Sequence, residues 1–279
     1  MAMKMFRFIK IIMFALADIF IVHFLGRYPV FYFDSIPNVG DLINPYLANK
    51  LSGMKVRQVR SRSIRHVVCL GSMFHMANKR SVIWGTGIIS DDVEFRRKTS
   101  CNSVRAVRGQ LTKNILFENG VISSDKLPLG DPGLLMPDFY NPRIRKKYKV
   151  GIIPHYVDSD LDFFNSIGDA VVIDVRQGPE SFIDDLLKCE YVISSSLHGL
   201  ILADSYGVPN KWVSFSDKIT GGKFKFRDYY STTDNPDEDC FLCLSQEALN
   251  NIIFEVEKYA SVKKFIFDKD ELTKSFPVF

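Results

Sequence analysis

Short apolar runs alternate with longer helix-like stretches over most of the chain. The runs at residues 30–33, 66–70, 82–84, 104–107, 149–153, 170–175, 191–194 and 212–215 are rich in β-branched residues and predict strands. Between them, residues 41–51, 110–119, 180–189 and 197–206 read as helices, and a last helical stretch covers 246–259. Gly53, Gly120 and Gly207 stand just past three of these stretches, where a left-handed residue ends a helix. Regular alternation of the two patterns predicts an α/β fold, with parallel sheets covered by helices on both faces.

A polar, basic stretch at 141–149 divides the pattern into halves of similar size. We read it as a linker between two facing, doubly wound, Rossmann-like domains, residues 28–145 and residues 146–279, the second with a terminal helix. Two such sheets leave a cleft at the carboxyl ends of their strands, where ligands of such sheets bind. Function is therefore expected in the strand-to-helix turns.

Residues 1–27 stand apart. The apolar run from Phe6 to Leu25 is interrupted by Lys10, Asp18 and His23 and flanked by Lys4, Arg7 and Arg27. A spanning helix wants about 20 uninterrupted apolar residues, so this one is not expected to cross a membrane. It fits two placements: a basic, aromatic-rich helix in the membrane interface, or an ordinary buried helix of the first domain.

With 46% hydrophobic and 24% charged residues in 279, the chain falls in the globular range. A net charge of +4 without a recognition motif does not indicate nucleic-acid binding. The five cysteines are odd in number and unclustered, and although Cys240 and Cys243 form a C-x-x-C, no second pair or histidine cluster accompanies it. We expect reduced thiols, a cytoplasmic setting and no metal. Neither a Walker-type loop nor a G-x-G-x-x-G is present, so ATP and dinucleotides are not indicated.

Three turns carry candidate chemistry. In the first, a strand runs into Ser194-Ser195-Ser196 and then Leu197-His198-Gly199. This places His198 in the first turn of a helix whose free N–H groups and dipole suit a phosphate or carboxylate. In the second, Val107-Arg108-Gly109 ends a strand with a permanently charged guanidinium. In the third, the loop 216–227 carries Lys218, Lys223, Lys225 and Arg227. Lys218, nearest the strand end, is the ligand candidate, and the other three read as solvated surface charge. Asn38 and Asp41 open the first helix of the domain as a cap or as acceptor contacts. His155 follows a strand and Pro154 and faces the cleft, as an acceptor contact or as a structural residue, and Asp131 orders the turn beside Pro132.

Taken in order, Asn38-Val39-Gly40-Asp41, Gly85-Thr86-Gly87, Val107-Arg108-Gly109, Gly130-Asp131-Pro132, Ser194 to Gly199 and Ser216-Asp217-Lys218 resemble the motifs of the polysaccharide pyruvyl transferases. Within that family the chain looks closest to the exopolysaccharide branch. The resemblance implies a GT-B-like fold, no cofactor, phosphoenolpyruvate as donor and a sugar acceptor that is often lipid-linked. It implies donor binding by Arg108 and Lys218 and a catalytic role for His198, and we expect Ser195, Ser196 and Gly199 at the helix start to contribute to the donor site. One departure stands out: many members carry arginine where this chain has Ser196. Two rival readings share the fold, a nucleotide-sugar glycosyltransferase and a non-catalytic scaffold for glycan assembly.

Overall fold

The computed structural model describes residues 2–92, 101, 103–124, 126–165 and 167–279. Two five-stranded sheets, both parallel throughout, form its frame. The first contains β1 (Tyr28–Val30), β2 (Val56–Gln58), β3 (His66–Val68), β4 (Ser81–Trp84) and β5 (Ser103–Ala106), in the order β2-β1-β3-β4-β5. The second contains β6 (Tyr148–Ile153), β7 (Ala170–Val172), β8 (Cys189–Ser194), β9 (Asn210–Ser214) and β10 (Phe241–Leu242), in the order β10-β9-β8-β6-β7. This is the two-sheet, Rossmann-like architecture that the alternating pattern predicts, and it is consistent with the GT-B-like fold that the family resemblance implies. The inner strands are buried on both faces over their later residues, which is why residues 150–153 of β6 and 191–193 of β8 read as apolar runs. The pattern misses the edge strands β2 and β10, whose side chains are half-buried or exposed and leave no apolar signature.

The helices that matter for the cleft are α1 (Ala2–Phe24), α2 (Val39–Ser52), α3 (Gln110–Glu118), α4 (Pro179–Leu187), α5 (Leu197–Ser205), α6 (Phe224–Tyr230), α7 (Gln246–Phe254) and α8 (Lys269–Lys274). Gly53 ends α2 with φ 69°, as a left-handed cap. The stretch predicted as one helix over 246–259 breaks at Glu255, which caps α7 before a short turn over Val256–Tyr259. The basic stretch at 141–147 carries no regular structure, and β6 begins at Tyr148.

In both sheets the chain reverses its direction of travel across the strands, between β1 and β3 in the first and between β6 and β8 in the second. The loops leaving those four strands flank the switch-point crevices, where parallel sheets accept ligands. The halves are also stitched together. The chain end returns to the first sheet, where Trp84 Nε1 donates to Leu272 O (2.9 Å), Tyr28 Oη donates to Pro277 O, and Phe276 packs on both aromatic rings. Val39 N donates to Val175 O (2.6 Å), joining the start of α2 to the segment after β7.

No helix among the described residues is long and apolar enough to cross a membrane. Helix α1 is held by Asp18, which is fully buried, pairs with Arg57 (3.0 Å) and accepts from Arg60 N and Ser61 N. Many of its described apolar side chains are not covered: Phe6 is 72% exposed and Leu16 63%. Of the two placements the sequence allows, burial in the core is therefore not realised along most of α1. The side chains of Lys4 and Arg7 lie outside the described part of the structure.

Candidate functional site

A cavity of about 290 Å³ opens at the meeting point of the four switch-point loops. Asn38 and Asp41 line it from the segment after β1, Gly71, Ser72 and Met73 from the turn after β3, His155 and Tyr156 from after β6, and Ser196, Leu197 and His198 from after β8. Lys225, in the first turn of α6, closes the wall. Residues from both halves of the chain thus share one small, mainly apolar space with a few convergent polar groups, the usual make-up of a ligand site.

The start of α5 is built from its three serines in different ways. Ser194 Oγ accepts from Ser196 N (3.0 Å) and lies 2.9 Å from Ile153 O, tying the turn to β6. Ser195 Oγ accepts from His155 N (2.8 Å), so it positions the neighbouring loop and does not face the cavity. Ser196 caps the helix without a side-chain bond and keeps its hydroxyl uncommitted at the wall. The first helical bond runs from Leu200 N to Ser196 O (3.2 Å), which leaves the N–H groups of the preceding turn unused within the helix. Gly199 is a packing residue: a Cβ there would come within 2.5 Å of Ser194 Oγ and 2.8 Å of an Ile153 methyl. It lets α5 close on β6 and contributes no cavity wall.

His198 Nε2 is sealed from solvent without a hydrogen-bond partner, and it faces Asp131 Oδ2, equally unpartnered, at 3.6 Å. The other edge of the ring lies over α2, so close that a Cβ on Gly40 would fall 2.0 Å from Nδ1. Asp131 itself is fully buried, and its Oδ1 accepts from Gly133 N (2.9 Å). That bond is the turn-ordering role expected from the sequence.

His155 caps a short turn through Nδ1, which accepts from Val157 N (3.4 Å). Burial, reinforced by Lys225 and His198, lowers its pKa to about 3, so the ring is neutral near pH 7. Asp41 shares a reciprocal cap with Asn38, whose Oδ1 accepts from Asp41 N (3.1 Å) while its Nδ2 donates to Asp41 Oδ2. Burial raises Asp41 to about 6, against the opposing effects of Asn38 and His198. Capping and cavity lining therefore coexist at Asn38 and Asp41.

Two expected donor ligands stand elsewhere. Arg108 is 0% exposed and does not line the cavity. Its Nε and Nη2 meet Asp228 Oδ2 at 2.9 and 2.8 Å, Nη2 donates to Ile88 O (2.8 Å), and Nη1 donates to Ser72 Oγ (2.8 Å) and Gly71 O (3.3 Å). All five N–H donors are spent on protein, so this guanidinium joins the first half to α6 and offers nothing to a ligand in this arrangement. The neighbouring glycines serve the same junction: a Cβ on Gly87 would strike the guanidinium at 2.4 Å, and one on Gly109 would strike Asp228 O at 1.8 Å. Lys218 lies exposed on its loop, outside the cavity wall.

The cation that does reach the cavity is Lys225, which the sequence pattern assigns to solvent. It is 8% exposed and has no carboxylate partner among the described residues, and its ammonium stands 5.4 Å from the Phe226 ring centroid. Burial, with Arg108 nearby, lowers its pKa to about 8. A buried, unpaired ammonium beside a helix N-terminus is an arrangement suited to an anion. The only local sign of it in the sequence is the placement of Lys225 between Phe224 and Phe226.

Residues 38–217 match the family described as polysaccharide pyruvyl transferase. The match takes in Asn38, Asp41, Arg108, Asp131, His155 and His198, and it ends before Lys218 and Lys225. The chain is 34% identical over 213 residues to the uncharacterized protein L143 of Acanthamoeba polyphaga mimivirus, covering 72% of this chain and 73% of that one. It is 31% identical over 138 residues to the succinoglycan biosynthesis protein ExoV of Rhizobium meliloti (strain 1021). That alignment covers 46% of this chain but only 40% of ExoV.

Proposed function

This chain belongs to the polysaccharide pyruvyl transferase family, and we propose that its cleft takes the pyruvyl group from phosphoenolpyruvate and places it on two hydroxyls of a glycan sugar as a cyclic ketal. The observation that carries this reading is the unpaired buried ammonium of Lys225 on the same small cavity as His198 and the amino end of α5. Phosphoenolpyruvate presents a carboxylate and a phosphate on adjacent groups. Lys225, the Ser196 hydroxyl and the free N–H groups of α5 supply charge and donors for both.

The reaction adds one sugar hydroxyl to C2 of the enol phosphate while C3 gains a proton and becomes a methyl group. A second hydroxyl then displaces phosphate from C2 and closes the ring. Of the two hydroxyl protons, one balances the proton gained at C3 and the other leaves with phosphate. His198 is the proton carrier of this scheme, a role worth about 10²–10⁴-fold in rate. Asp41, raised to about 6 by burial and steadied by Asn38, and neutral His155 line the same cavity and are the acceptor contacts of this reading. Lys225 takes over the donor contact that the family resemblance assigns to Arg108 and Lys218.

The same reading includes an acceptor presented at a membrane. Helix α1 turns back into β1, and Asp18 docks on the segment just past the carboxyl end of β2. The part of α1 ahead of Asp18 therefore extends beyond that docking point, with Phe6, Ile9, Ile12, Met13 and Leu16 among its exposed apolar side chains and Lys10 and Arg60 over the Phe14 ring. A lipid surface would cover that helix and bring a lipid-linked sugar to the cleft side.

Incubating the protein with phosphoenolpyruvate and bacterial glycan fractions, and following phosphate release together with glycan mass, tests the proposal. Phosphate release that depends on glycan, a mass gain of one pyruvate less one water, and loss of both in His198→Ala are the expected results. Release of nucleotide from a nucleotide sugar would replace the reading with glycosyl transfer.

A further inference from the structure

Among the described residues, two of the polar side-chain atoms that are sealed from water without a hydrogen-bond partner face each other: His198 Nε2 and Asp131 Oδ2, 3.6 Å apart. An isolated buried acceptor or donor is unfavourable, and native structures rarely keep one without a reason. Here a single proton resolves both, because Nε2–H donates where Oδ2 accepts. The carboxylate cannot turn away easily, since its other oxygen accepts from Gly133 N at 2.9 Å, in a turn fixed by Pro132. That turn packs directly on Gly85, where a Cβ would meet the Pro132 ring at 2.2 Å.

We propose that Asp131 is a positioning residue that holds the proton of the neutral His198 ring on Nε2, leaving Nδ1 as the atom that exchanges protons with substrate. The inference rests on the proposed role of His198 and deepens it. Nδ1 is not among the sealed, unsatisfied atoms, and the ring lines the cavity. In turnover Nδ1 takes the proton of a sugar hydroxyl, the imidazolium forms with Nε2–H drawn onto Asp131, and the proton returns from Nδ1 to substrate. The gap of 3.6 Å is wider than a hydrogen bond and closes as charge develops on the ring, in keeping with catalytic contacts that tighten only with substrate present. Gly40 permits this geometry because any side chain there would occupy the place of Nδ1. The other charged or titratable groups around the ring are Asp41 from α2, His155 from the loop after β6 and Lys225 from α6.

Histidine tautomers are read directly by two-bond proton–nitrogen correlation in uniformly labelled protein without any substrate. With five histidines, His198→Gln identifies the signal. The expected result is the Nε2–H tautomer for His198 in the wild-type chain. In Asp131→Asn, whose amide would donate toward Nε2, the proton moves to Nδ1. The same variant loses about 10²–10⁴-fold in kcat with the KM for phosphoenolpyruvate changed less than about twofold. A wild-type His198 protonated on Nδ1 overturns the proposal, whatever reaction the protein performs. An Asp131→Asn variant with full kcat overturns it while leaving pyruvyl transfer by His198 intact. Failure of pyruvyl transfer in the wild-type protein, with the Nε2–H tautomer present and moved by Asp131→Asn, removes the reaction but keeps the dyad.

Discussion

Replacing Arg108 by methionine removes five N–H donors from a place that water does not reach. Asp228 keeps its bonds from Thr112 N (2.8 Å) and Thr112 Oγ1 (2.7 Å), but its negative charge loses the only cation paired with it among the described residues. Gly71 O and Ile88 O lose the guanidinium as a donor at the same time. Breaking one side of a buried, hydrogen-bonded ion pair costs about 3–5 kcal/mol. At roughly 2–4 °C per kcal/mol for chains of somewhat smaller size, the unfolding midpoint should fall by roughly 6–20 °C. Thermal unfolding followed by circular dichroism, with and without phosphoenolpyruvate, measures this directly. The variant should unfold earlier yet still gain stability from the donor wherever it remains folded. Adding Asp228→Leu should recover part of the loss, with a coupling of about 0.5–3 kcal/mol. A variant that keeps the wild-type midpoint but no longer responds to phosphoenolpyruvate would refute the reasoning, because Arg108 would then be a donor ligand and not the staple between the halves.

Lys225→Met should stabilise the free protein by about 1–3 kcal/mol at pH 7 while abolishing the stabilisation by phosphoenolpyruvate. The sign follows from a folded pKa lowered to about 8: the unfolded chain binds more protons between about 8 and the ordinary lysine value, so wild-type stability from this group rises with pH across that window. Donor affinity should run the opposite way and weaken as pH passes about 8, which titration calorimetry at several pH values would reveal. Asp41→Asn should stabilise above pH 6 and make little difference below pH 4. The folded pKa of Asp41 is raised to about 6, so its favourable contribution is complete in acid and lost as pH rises through that value. Thermal unfolding of wild type and variant between pH 4 and pH 8 checks the trend. Gly109→Ala should yield insoluble or strongly destabilised protein, because its Cβ would lie 1.8 Å from a backbone oxygen that has no room to move. Soluble expression and thermal unfolding of that variant decide it.

The inner strands were legible because burial on both faces forces an apolar run, as at Val150, Ile152 and Ile153 in β6 and Val192 and Ile193 in β8. Helix ends were legible at Gly53, Gly120 and Gly207, since each takes a positive φ that other residues avoid. The edge strands were not, because Val56–Gln58 and Phe241–Leu242 bury too little to leave a pattern. At the site, His198 was legible through the strand, serine cluster and helix that surround it. Which cation enters the cavity was not, since Lys218, Lys223, Lys225 and Arg227 share one loop and only the packing of α6 buries one of them there. The same holds for Arg108. Its place at a strand end is local information, but its partner Asp228 comes from 120 residues away, in α6. Asp131 and His198 likewise meet only once both sheets are in place.

The most direct test of the central claim is titration calorimetry of the wild-type chain and of Lys225→Met with phosphoenolpyruvate. Binding by the wild type and a loss of at least tenfold in affinity in the variant, about 1.4 kcal/mol or more, is the expected result. Equal affinity in the two proteins would contradict the assignment of this cavity as the pyruvyl donor site.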